Sequence, residues 1–270
     1  MVRKLMKYEF AFYFKRLLPL GLLVLGTALL NRILQFFEAD NTPYRIIFGS
    51  SVVLLVIAIL ASIIGTLVIA VGRFYKNIFS NEGYLTMSLP ASSEQHIAAK
   101  LTAALVCSVL VGVFALLGIS VATSGEVFAE LMKAFAFLMK NVIWKAFGGN
   151  TVVYIIWFIL ALCTASVKVL LVCYTCICIG QLAKKNRIVL AVVCYFAYYF
   201  ICQILGTVFI IIMTLAVQSD LIEQIMKFIG EHLTGCIHAG FVFVILWNLI
   251  FSAVYFLISN RIIKRKLNLE

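Results

Sequence analysis

Charge is what this sequence has least of. Only 12% of its 270 residues are Asp, Glu, Lys or Arg, while 64% are hydrophobic. A soluble domain is about half apolar and a quarter charged, so this balance excludes an ordinary water-soluble fold. Acid is scarcer still, at 11 Asp and Glu against 22 Lys and Arg. No acid falls deep inside an apolar run; each lies in a loop or near a span end. That speaks against an ion-coupled carrier, which keeps carboxylates within the bilayer. No GxxxxGK[ST] phosphate loop occurs, so any ATP-derived energy has to come from another polypeptide. Neither is there an HExxH; of the three histidines, His96, His232 and His238, the last two are six apart with no acidic partner inside a span. An intramembrane zinc enzyme would need three well-placed ligands. The eight cysteines lie mostly within apolar runs, so they imply no disulfide framework. In CYTCIC the CxxC of Cys173 and Cys176, with Cys178 beyond it, reads as small apolar side chains.

What is present is long apolar runs. Six reach spanning length, near residues 17–36, 46–72, 97–121, 151–182, 188–217 and 239–259. In lipid the backbone must satisfy its own hydrogen bonds, and such runs do so as helices of about 20 residues. The expected fold is an all-α polytopic membrane protein, a single transmembrane domain over 1–270. The first run is too long for a signal peptide and lacks a cleavage pattern, so it is expected to remain as an anchor. With the N-terminus inside, 15 of the Lys and Arg residues fall on inner segments and 6 on outer ones, with Lys168 within a span. The positive-inside rule then puts both termini in the cytoplasm. The net charge of +11 suits an anionic inner leaflet. It is spread over four separated segments, which fits nucleic acid poorly.

Three stretches are amphipathic. Residues 1–16, MVRKLMKYEFAFYFKR, carry Arg3, Lys4, Lys7 and Lys15 in one sector and suit an interfacial elbow helix; the alternative is an extension of the first span. Segments 122–150 and 218–238 place Glu126, Glu130 and Lys133, and Asp220, Glu223 and Lys227, on polar faces. These are expected as outer amphipathic helices.

The inner segment 73–96 is the most informative. RFYKNIFSNEGYLTMSLP interrupts two apolar runs. Arg73 to Phe79 should continue the second span, and Asn81-Glu82-Gly83 should break it. Tyr84 to Leu89 leaves room for one or two helical turns before Pro90. Ser92 with Gln95 three residues on is a capping box that starts the third span. An apolar Tyr-Leu-x-Met-x-Leu surface held in water suits a partner; the alternative is a plain hairpin corner.

The segment FYKNIFSNEGYLTMSLPAS resembles the coupling region of small Firmicutes-type ABC-2 permeases, and the six-span plan with an elbow is similar to theirs. The resemblance implies a permease subunit of an ATP-driven exporter in a bacterial plasma membrane. Two copies, or one and a paralogue, would work with separate ATPase subunits that hold the ATP and Mg; the chain itself would carry no cofactor and no catalysis. The coupling role would fall on Glu82, Gly83, Tyr84, Leu85, Met87 and Leu89. Compact systems of this kind include phenol-soluble-modulin and lantibiotic-immunity exporters, which implies amphipathic peptides as cargo, with lipid or hydrophobic drug as the alternative. Polar residues available to a pathway or interface include Ser62, Thr66, Thr164, Ser166, Gln203 and Asn248, and Lys168 is the one charge deep in a span.

Overall fold

In the computed structural model, residues 2–37, 41–80, 83–84, 92–123, 129–130, 133, 151–183, 185–216, 227 and 230–266 are described. Six long helices account for nearly all of them: α1 Val2–Gln35, α2 Thr42–Phe79, α3 Ser93–Ala122, α4 Thr151–Gly180, α5 Arg187–Ala216 and α6 Leu233–Lys266. All six are long and apolar enough to cross a membrane. Each of the six expected spans therefore falls on one helix, and most of these helices run past the ends of their apolar cores. At ~1.5 Å per residue the 38 residues of α2 reach roughly 57 Å, against a hydrocarbon core of about 30 Å.

The expected elbow over 1–16 does not stand as a separate helix. Residues 2–35 form one continuous helix, through Pro19. Lys7 and Lys15 lie on its exposed side, while Glu9 and Tyr13 are buried against protein. Of the two outer amphipathic segments, 122–150 and 218–238 fall mostly outside the described residues. The end of the second, from Leu233, already belongs to α6.

Two compact units divide the chain, Met1–Ala146 and Phe147–Glu270. In the first, α1 packs against α3 and α2, and α2 also touches α3. Lipid tails are as apolar as Leu, so helices in a bilayer associate by close packing and polar contacts rather than by leaving water. The core of this unit has that character: Val24, Ala28, Leu55, Ala58 and Ala122 meet in its interior. At Gly118 α3 lies close against α1. A Cβ there would lie 2.7 Å from Val24 Cγ1 of α1. At one end of the unit, Asn31 Nδ2 donates to the Ser51 carbonyl at 2.9 Å, Ser51 Oγ donates back to Asn31 Oδ1 at 2.9 Å, and Gln35 Nε2 donates to the Ala122 carbonyl at 2.6 Å.

In the second unit α4 packs against α6 and α5. Helices α4 and α6 are parallel and in constant register. Tyr154 stacks on His238 near one end, and Thr175 meets Ser259 near the other, both pairs 84 residues apart. The turn from α4 to α5 is tight. A Cβ on Gly180 would sit 2.7 Å from both Ala191 Cβ and the Arg187 carbonyl oxygen. Asn186 takes φ 55°, a left-handed conformation that Asn tolerates better than most residues. Cys173, Cys176 and Cys178 are buried free thiols in α4.

Candidate functional site

At the end of the first unit away from Asn31, the N-terminal turns of α1, the last turns of α2 and the first two turns of α3 close together. Arg73 and Asn77 are four residues apart on α2, and His96 and Lys100 are four apart on α3. That spacing puts each pair on one helix face. Both pairs converge on Glu9 of α1. Its carboxylate accepts from Lys100 Nζ at 2.6 Å, from Arg73 Nε at 3.2 Å and from Asn77 Nδ2 at 3.3 Å. Lys100 is 2% exposed and Glu9 7%. His96 is buried beside them, its Nε2 without a hydrogen bond.

Around the ion pairs the packing is dense. Tyr13, Phe74, Ile78 and Ile97 are fully buried, and Phe79 nearly so. Arg73 Cζ lies 3.9 Å from the centre of the Phe12 ring and Arg16 Cζ 4.0 Å from the same centre. Cation–ring contacts of this kind add about 0.5–2 kcal/mol as water is excluded. A buried charge pair rarely adds net stability over an apolar one. What it does enforce is a single arrangement, because any slip of α1, α2 or α3 against the others strands a charge.

The α2–α3 corner rises directly from this cluster. Helix α2 runs through Arg73 to Phe79 and stops at Ser80. The Gly83 N–H donates to the Ser80 carbonyl at 2.6 Å, and Gly83 is buried. Tyr84 follows it, 53% exposed. The capping box expected at Ser92 is present: Ser92 Oγ accepts from the Gln95 N–H, and Gln95 Oε1 accepts from the Ser92 N–H, both at 3.3 Å. Glu82, Leu85, Met87 and Leu89 lie outside the described residues.

The candidate pathway residues are divided among α2, α4, α5 and α6. Ser62 and Thr66 are buried on α2, where their hydroxyls donate to the carbonyls of Ile59 and Ser62. Gln203 is exposed on α5. Lys168 is half-buried on α4, and Asn248 is buried on α6. Reading the sequence counted Arg73 and Lys100 only among the 15 inner cations and left Glu9 within the interfacial segment 1–16. The Glu9 cluster was missed because its members are 64 to 91 residues apart. A signal was available: the first helix holds one acid near its start, and the two helices that follow hold cations near the end of α2 and the start of α3, which an up-and-down order brings to the same end. Comparison with protein-family models, with curated proteins and with solved structures found no match.

Proposed function

We propose that this chain is the membrane permease subunit of an ATP-driven exporter of the ABC-2 type. It works as a pair, with a separate ATPase docked on the α2–α3 corner, and moves amphipathic peptides outward. Both termini and the corner face the cytoplasm, where the Lys and Arg residues concentrate.

One observation carries this reading. Tyr84 stands exposed on a corner whose base is tied by charge, with Glu9, Arg73, Asn77 and Lys100 joining three helices beneath it. A loop that only links two spans needs neither. A partner pressing on this corner would displace α1, α2 and α3 together, because rigid, packed elements carry coupling between distant sites. Interface residues with large side chains dominate binding, and truncating one commonly costs ~2 kcal/mol or more.

The test is co-expression with the products of the neighbouring genes, one of which should be a nucleotide-binding ATPase on this reading. The chain and that ATPase should purify together and hydrolyse ATP. Tyr84→Ala should lower the complex yield at least about tenfold while the six helices remain inserted. A chain that transports on its own in liposomes, or a Tyr84→Ala variant with normal complex yield and normal turnover, would overturn the reading.

A further inference from the structure

The second unit holds an unsatisfied polar layer that the corner does not involve. The constant register of α4 and α6 sets each residue of α4 level with the residue 84 positions later. Thr175 marks the seam between them, its Oγ1 donating to the Tyr255 carbonyl at 3.1 Å and lying 3.0 Å from Ser259 Oγ. Two helical turns along from Thr175 and Ser259 come Lys168 and Ser252. They therefore share the seam side and the same level. One turn further are Thr164 and Asn248. Thr164 is satisfied by the Ala161 carbonyl at 3.0 Å.

The other three are not satisfied. Ser252 is 6% exposed and its Oγ has no hydrogen-bond partner. Asn248 is 5% exposed and makes no side-chain hydrogen bond among the described residues. Lys168 is half-buried and makes no hydrogen bond or ion pair among them. Nor do α4, α5 and α6 contain a single Asp or Glu to balance it. Leaving a polar group buried and unpaired costs about 1–3 kcal/mol, and a charge at mid-bilayer about 2.5 kcal/mol or more. In a helix centred in the bilayer, Lys168, two residues past the middle of the 29-residue span, would lie ~12 Å from the nearer headgroups, beyond the length of a Lys stem.

An ammonium, an amide and a hydroxyl at adjacent levels present up to six N–H and O–H donors with no opposing anion. We propose that Lys168, Asn248 and Ser252 form a mid-bilayer site for a single carboxylate carried on an amphipathic molecule. Naming that molecule as cargo rests on the export reading above; the site itself does not.

The test uses the full chain in phosphatidylcholine nanodiscs. The probes are a fluorescent long-chain fatty acid and its methyl ester, which differ in the charge and by one methyl group. Wild type should bind the acid at least about tenfold more tightly than the ester, as expected for hydrogen bonds to a charged group. Lys168→Met should erase that preference and leave ester binding unchanged, and Lys168→Arg should keep it. Asn248→Ala and Ser252→Ala together should reduce it about threefold or more, which keeps the proposal open to test even if Lys168→Met fails to fold. Equal binding of acid and ester by wild type overturns the site, as does a preference that survives in Lys168→Met. Because no ATPase is present, this outcome is independent of whether the chain is a permease.

Discussion

Replacing Glu9 by alanine takes away the carboxylate that holds Lys100 at 2.6 Å, Arg73 at 3.2 Å and Asn77 at 3.3 Å. Lys100, at 2% exposure, cannot recover the loss by turning to water. Breaking one side of a buried pair costs about 3–5 kcal/mol. The lower end applies here, since the Arg73 side chain keeps 18% exposure and still stacks on Phe12. The expected loss is about 3 kcal/mol, confined to the first unit. Cys107 on α3 reports it locally, because its thiol is 2% exposed. Pulsed thiol labelling, resolved by peptide mass spectrometry, should show Cys107 reacting about 100-fold faster in Glu9→Ala, as local opening becomes that much more frequent. The control is the double variant Glu9→Ala/Lys100→Met. With the cation also gone, no charge is stranded at that position, so the double variant should open less often than Glu9→Ala alone. A rise of under about fivefold in Glu9→Ala, or a double variant whose cost equals the sum of the two singles, would refute the claim that these charges act as one unit.

Two further substitutions probe the same unit with the same labelling readout. Gly118→Ala should cost about 1–3 kcal/mol, because its Cβ would meet Val24 Cγ1 at 2.7 Å, and Val24→Ala in the same chain should restore most of the loss. Ser92→Ala should cost about 1 kcal/mol by removing the cap of α3. Hydrogen exchange should rise in the first turn of α3 while Cys107 labelling stays as in wild type.

How far the sequence could be read depended on the distance between interacting residues. The capping box at Ser92 spans three positions, so it was visible as a pattern and is present as read. The six spans were equally visible, since each is one continuous apolar run. Their ends were not. Charge at residues 1–16 reads as a surface, yet Glu9 and Tyr13 point inward from the same helix that exposes Lys7 and Lys15. A helical wheel drawn on the cations alone cannot show that side. The convergence on Glu9 needs three helices in their final register, which no local period encodes. Lys168 was visible as an isolated charge. Its level with Ser252 became visible only once Tyr154–His238 and Thr175–Ser259 fixed how α4 lies along α6.

The Glu9 cluster also sets an order of events during synthesis. Glu9 leaves the ribosome long before its partners, with Arg73 following 64 residues later and Lys100 91 residues later. At ~5–20 residues per second, the carboxylate waits roughly 5–20 s for the lysine. Until then it has no dry place to go, so α1 has to enter the bilayer with its first turns still wet. The arrival of α3 draws that end of α1 into protein. The first unit can therefore close before the last helix has been translated.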